Sequence, residues 1–236
     1  MAQINAPKPL SASRPDDLRE DGLQTAALEA SATFEAYRPQ IIAAVVAVVA
    51  IVVALVAFRA YRANQQEAAQ LALGGILNEY TAGNFEAALD GTDTAPGLLE
   101  ISEQYGATPT GQQATFFAAD ALYQLGRTDE AADLFAAYDG EGLLEASALA
   151  GRAAILEQAG DPAAAASLYA EAAEAYDSPA TAPGYLLDAG RAHAAAGDAA
   201  AAERVFEQIL ADYDDAPEAI AAQTELGRVQ AAASAQ

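Results

Sequence analysis

Three segments share one spacing of residues: GRTDEAADLF (126–135), GDPAAAASLY (160–169) and GDAAAAERVF (197–206). Each begins with Gly, has Ala five positions later and ends on an aromatic residue nine positions after the Gly. The small residues seven positions before each Gly are Ala119, Ala153 and Gly190. A fourth segment, GNFEAA (83–88), has the Gly and the Ala, but Thr92 stands where the aromatic residue is expected. The repetition predicts one structural unit used several times.

This spacing is typical of two antiparallel helices joined by a tight turn. Gly ends the first helix because it adopts the left-handed conformation at low cost, and a following Asp, Asn or Thr can cap the second. Small residues on both helices allow close approach, and the aromatic residue fills the groove toward the neighbouring pair. One such hairpin cannot bury its apolar face alone, so stacked hairpins are predicted. A generic alanine-rich helical bundle is the alternative.

Two further elements complete the predicted array. The first two repeat glycines are 43 residues apart, which indicates an insertion. We expect it to hold a short helix with Leu98, Leu99, Ile101 and Tyr105. After the fourth hairpin, Pro217 to about Ala232 is predicted to form a capping helix, with inward-facing residues Ile220, Leu226 and Val229. The fold class is therefore all-α, an α-solenoid of about four hairpins with a C-terminal capping helix.

Before the repeats, Ile41–Phe58 is a run of eighteen residues without a polar side chain. As a helix, the uncharged stretch from Pro39 would rise roughly 30 Å, about the thickness of a bilayer's hydrocarbon core. A buried core helix is the alternative, but core helices are rarely apolar on every face. The sequence thus predicts a single transmembrane helix.

Three regions follow from this helix. Residues 1–37 form a tail, disordered at its start and with a short helix from Arg14 to Tyr37; residues 38–62 are the transmembrane helix and its flanks; and residues 63–236 are the repeat domain. Lysine and arginine are more frequent in the tail than just after the helix. This places the tail in the cytoplasm and the repeats on the other side of the membrane.

Small residues recur along one face of the predicted transmembrane helix. They are Ala43, Ala47, Ala50, Ala54 and Ala57. Small residues at three- and four-residue steps permit close packing of helices in a bilayer. In an alanine-rich chain they can equally be filler.

The formal net charge is −23, and the repeat domain contains arginines but no lysine. Such a surface repels phosphates, so nucleic acid and anionic headgroups are excluded as partners. It either attracts basic partners or simply keeps the domain soluble. The chain has no Cys, so disulfides and thiolate metal sites are excluded.

No residue pattern indicates catalysis, a metal or a cofactor. His193 is the only histidine and is expected to be packed or half-buried. The acidic run 212–215 lacks the glycine and distal glutamate of a calcium loop and is interpreted as a solvated turn. Gly74 and Gly75 are interpreted as a kink or a close-packing point. The protein is predicted not to be an enzyme; a hydrolase would need several acids converging in one cleft.

Aromatic residues on the predicted hairpins are the candidates for binding a partner. Grooves of repeat arrays commonly bind a peptide or helix of another protein. The aromatic residues best placed for this are Tyr80, Phe116, Phe117, Tyr123 and Tyr185. Each of them can instead belong to the repeat core.

The repeat spacing resembles the tetratricopeptide repeat. Together with the anchor, the segments 84–91, 95–106, 121–135 and 203–213 resemble the YfgM-type family, the ancillary subunit of the SecYEG translocon. This resemblance implies a bacterial inner-membrane protein with periplasmic repeats that associates with the translocon and with periplasmic chaperones. It implies no catalytic residue, cofactor or small-molecule substrate. The alternatives are an accessory subunit of another inner-membrane complex and an envelope-assembly repeat protein.

Overall fold

The computed structural model describes the backbone of residues 15–234 and the side chains of residues 38–40 and 42–234. The chain divides into two compact units, Met1–Ala60 and Tyr61–Gln236. The prediction of a disordered start falls on residues 1–13, outside the described residues.

The described residues form ten helices and two short strands. In chain order these are α1 (Pro15–Thr81), α2 (Phe85–Asp90), β1 (Gly91–Thr92), β2 (Ala95–Pro96), α3 (Leu98–Tyr105), α4 (Pro109–Gln124), α5 (Thr128–Ala137), α6 (Leu143–Gln158), α7 (Pro162–Ala175), α8 (Ala182–Ala195), α9 (Ala199–Asp212) and α10 (Glu218–Ser234).

The N-terminal unit is helical from Pro15 onward, and the helix continues through Pro39. Residues 15–37 are thus helical, as predicted, but the helix is not short, because it continues past Tyr37 into the apolar run. Pro39 has no N–H and so removes one backbone hydrogen bond from the helix. The apolar residues after it nevertheless continue the same helix. Among the described residues, this is the one helix long and apolar enough to cross a membrane. Its apolar side chains are exposed all round, for example Val46 and Val56.

The repeat unit contains four helical hairpins within the described residues. Their first helices are residues 61–81 of α1, then α4, α6 and α8, and their second helices are α2, α5, α7 and α9. From α5 to α10, each helix packs against the next along the chain, and α10 closes the array against α8 and α9. The predicted all-α solenoid with a capping helix is confirmed.

The repeat positions form the core of this stack. The alanines are completely buried, and the aromatic residues Phe135, Tyr169 and Phe206 are at least 94% buried. A Cβ on Gly190 would overlap the ring of Phe206. The small residue on the first helix is thus needed because the aromatic ring of the second helix packs directly on its backbone.

The turns between paired helices confirm the role of Gly. The positive φ angles are 78° at Gly83, 75° at Gly126, 85° at Gly160 and 83° at Gly197. Asp161 and Asp198 cap their helices by accepting hydrogen bonds from the backbone N–H of Ala164 and Ala201. Asn84 makes no such bond, and Arg127 rather than Thr128 takes the cap position in the second hairpin.

The insertion has the predicted short helix, α3, with Leu98 and Ile101 fully buried. Before it, β1 and β2 form a two-residue antiparallel ribbon that the sequence did not predict. Gly75 of α1 lies beside this ribbon, where a Cβ would be 3.1 Å from that of Ala95. The interpretation of Gly75 as a close-packing point is confirmed.

The capping helix α10 is present, but one residue predicted to face inward does not. Ile220 is 78% exposed, whereas Ala219, Ala222 and Leu226 are buried against α8 and α9. One position along a helix changes the direction of a side chain by about 100°. The inward face is thus set by the alanines, which allow the closer approach, and Ile220 lies outside it.

Candidate partner-binding surfaces

The first helices of successive hairpins lie side by side, and polar side chains join them. The hydroxyl of Tyr80 donates to Asp120 Oδ2 at 2.6 Å, which joins α1 to α4. Gln158 Nε2 donates to the hydroxyl of Tyr123 at 2.6 Å, which joins α6 to α4. These contacts hold neighbouring repeats in register.

The same face continues to the end of the array. The hydroxyls of Tyr185 and Ser147 are 3.2 Å apart and join α8 to α6. Arg191 Nε lies 3.7 Å from Glu225 Oε1 and joins α8 to α10. Burial raises the pKa of Asp188, the other acid that pairs with Arg191, although the guanidinium opposes the rise.

Three of the five predicted binding aromatics form one cluster. The ring of Phe117 packs 4.9 Å from that of Tyr80 and 5.7 Å from that of Phe116, measured between centroids. Phe116 continues to Phe135 and Tyr138 at 5.9 and 6.1 Å. All three predicted residues are half-buried against the core of the first hairpins.

Tyr123 and Tyr185 are separate from this cluster and from each other. Each is half-buried and uses its hydroxyl in a contact between repeats. Each of the five aromatics therefore contacts a neighbouring helix and is itself only partly buried.

One open groove lies at the start of α4 and has a volume of about 710 Å³. Arg62 forms one side, where its Nη1 donates to the carbonyl of Ala107 at 2.9 Å. Gln112 bridges the groove, because its Nε2 donates to Gly106 O at 2.7 Å and its Oε1 accepts from Asp139 N at 2.8 Å. The side chains of Arg62 and Gln112 thus bond to backbone groups and hold the loops before α4 and after α5 in place.

A second groove lies between α7, α8 and the end of α9 and has a volume of about 360 Å³; we call it the α7–α9 groove. Its lining residues are Ala170, Ala173, Glu174, Asp177, Leu186, Val205, Gln208, Asp212 and Tyr213. Sequence reasoning missed it, because its shape depends on how three successive helices pack against one another. The one signal was the acidic run 212–215, which the structure confirms as an exposed turn at the end of α9.

Within the part of the chain whose side chains are described, tyrosine hydroxyls donate to carboxylates on neighbouring elements at three places. Besides Tyr80, Tyr169 donates to Glu157 Oε2 at 2.9 Å and Tyr213 donates to Asp177 Oδ1 at 2.6 Å. Burial and the bond to Glu157 raise the pKa of Tyr169. The bond to Asp177 and burial raise the pKa of Tyr213 to about 12. In a domain without lysine, these three neutral phenols pair with a carboxylate on a neighbouring element.

These tyrosines predict a specific loss of stability at alkaline pH. The folded state favours the neutral phenol, so its contribution is complete below the unfolded pKa of about 10. For Tyr213 it should disappear as the pH rises through about 12. The difference in urea midpoint between the wild type and Tyr213→Phe should therefore be constant below pH 10 and shrink above it. A difference that stays constant to pH 12 would contradict this assignment.

Within the residues whose side chains are described, no group of three or more His, Asp or Glu side chains could hold a metal ion. His193 is half-buried on α8, as the sequence predicted.

No protein-family model matches the sequence, and no curated protein does. Among solved structures, it is similar to a kinesin light chain-like protein of Podosopora anserina with nearly identical TPR-like repeats. The TM-score is 0.49 at 17% sequence identity, over 73% of this chain and 86% of that chain. These values are for a glutamine-to-methionine variant of that protein. The protein without this change gives the same TM-score and identity, and 87% of its chain is covered. The packing of successive helices within this chain is enough to define its fold as an α-solenoid.

Proposed function

We propose that this protein is a membrane-anchored, non-enzymatic scaffold that binds other proteins through its repeat unit. The observation that carries the proposal is the combination of an exposed apolar helix with a stack of four hairpins and a cap. Stacked hairpins present long surfaces that bind peptides and helices. The acidic surface makes basic proteins the favoured partners.

We further propose a place at the translocon of the bacterial inner membrane, with the tail in the cytoplasm and the repeats in the periplasm. The resemblance to the YfgM-type family and the excess of positive charge in the tail support it. In this role the repeats recruit periplasmic chaperones or emerging substrates. The half-buried aromatics Tyr80, Phe116, Phe117, Tyr123 and Tyr185 are the proposed contacts on the face of the first helices.

The test is native purification of the tagged full chain in mild detergent, followed by mass spectrometry. A matched control carries the same tag on residues 1–62, which lack the repeat unit. SecYEG subunits and periplasmic chaperones should be enriched with the full chain, and the chaperones should be lost with the control. Recovery of neither class with the full chain would contradict the translocon role.

The alanine face of the transmembrane helix is proposed to contact a membrane partner. Residues 43, 47, 50, 54 and 57 are all exposed in the isolated chain. Replacing Ala47, Ala50 and Ala54 with leucine should weaken recovery of the partner, because leucine prevents close helix approach. The protein should stay in the membrane, since leucine is at least as apolar.

The control for this triple variant replaces Val45, Val48 and Val52 with leucine, on the opposite face of the helix. Recovery should then stay near the wild-type value. Equal loss in both variants, measured by quantitative mass spectrometry of the purified complexes, would show that the alanine face has no special role.

A further inference from the structure

The floor of the α7–α9 groove is apolar. Ala173 and Leu186 are buried beneath it, and the half-buried Ala170 and Val205 form its sides. These residues come from α7, α8 and α9, so the floor depends on the packing of three successive helices. An aliphatic chain of a few carbons would gain contact with this floor.

The rim of the groove is acidic. Glu174, Asp177 and Asp212 line it and are exposed, and no Arg or His side chain is among its lining residues. The hydroxyl of Tyr213 bonds to Asp177 Oδ1 at 2.6 Å and fixes this carboxylate at the rim. A cation at the rim would meet three carboxylates and no positively charged lining side chain.

A second concavity of about 360 Å³ adjoins the groove, because Asp212 and Tyr213 line both. It adds the exposed Asp214 and Asp215 and the ring of Pro179. The apolar surface and the acidic rim of the α7–α9 groove therefore extend into this second concavity. The ring of Tyr213 lies at the junction, where aromatic rings attract cations.

We propose that the α7–α9 groove binds a lysine- or arginine-bearing segment of a partner protein. The aliphatic stem of the basic side chain lies on the apolar floor and its charged end lies at the carboxylate rim. Lysine and arginine are suited to such a site, since they bury their stems while the charge stays near water. The inference rests on the proposed scaffold function and names the chemistry of its partner.

The test uses the full chain in detergent micelles and a fluorescein-labelled peptide in which lysine and alanine alternate. Replacing Glu174 and Asp212 with lysine removes two rim charges and adds two repulsive ones. Fluorescence anisotropy should show binding at least about tenfold weaker, because two partly exposed ion pairs are lost and like-charge repulsion replaces them. The same peptide with glutamate in place of lysine should not bind.

The matched control is Glu171→Lys with Glu207→Lys. These residues lie on the same two helices, are exposed and do not line the groove. The change in net charge is identical, so the control measures the general attraction of the acidic domain. Equal weakening in both double variants would overturn the proposal.

A third variant tests the floor without changing the charge. Ala170→Phe fills the groove and should also weaken binding about tenfold, while circular dichroism confirms that the chain remains helical. Binding unaffected by this variant would likewise overturn the proposal. Because the peptide assay needs no cellular partner, its failure is distinguishable from failure of the co-purification that tests the scaffold function.

Discussion

Replacing Phe206 with alanine should lower the free energy of unfolding of the repeat unit by about 3–5 kcal/mol. Phe206 is completely buried in the cluster that joins α8, α9 and α10. Its ring lies on the backbone of Gly190, where a Cβ would come within 2.8 Å of Cδ1. Neighbouring alanines cannot extend into the space, so the cavity would remain.

Urea unfolding of the full chain in detergent micelles, followed by far-ultraviolet circular dichroism, would measure this loss. The control is Ile220→Ala, which also removes a large apolar side chain. Because Ile220 is 78% exposed, its removal should change the unfolding free energy by no more than about 0.5 kcal/mol. Similar losses in the two variants would contradict the burial described for α9 and α10.

The contrast between these two residues shows how much of the fold the sequence could predict. Phe206 belongs to a spacing repeated in three units, and the same spacing predicts the buried Ala202 and the turn at Gly197. Ile220 lies in the unrepeated last helix, where only apolar character was available as a guide. The alanines on the adjacent face were buried instead, because they permit closer helix packing.

The candidate binding surfaces were less predictable than the core. The five aromatics could be named by residue type and approximate face, but the hydroxyl partners of Tyr80 and Tyr123, Asp120 and Gln158, lie 40 and 35 residues away. The α7–α9 groove depends on the angle at which three helices pack. Sequence spacing determines which residues face inward, but it does not determine the gaps that remain between helices.

Replacing Gly111 or Gly184 with alanine should change the stability of the repeat unit in opposite directions, although the two glycines have the same local position. Each is the third residue of its helix and follows a proline within the first turn, in α4 and α8. A Cβ on Gly111 would overlap the carbonyl group of Tyr105 and come within 2.7 Å of Gly106 N. A Cβ on Gly184 would meet no atom within 4 Å.

Gly111→Ala should therefore destabilise the repeat unit by about 3 kcal/mol, the upper end for overpacking, because backbone atoms cannot rotate away as a side chain can. Gly184→Ala should stabilise it by up to about 1 kcal/mol, since alanine is the better helix former. Urea midpoints of the two full-chain variants should thus lie on opposite sides of the wild type. If Gly111→Ala were as stable as Gly184→Ala, the close packing of α3 on the start of α4 would be refuted, and with it the geometry of the inserted helix.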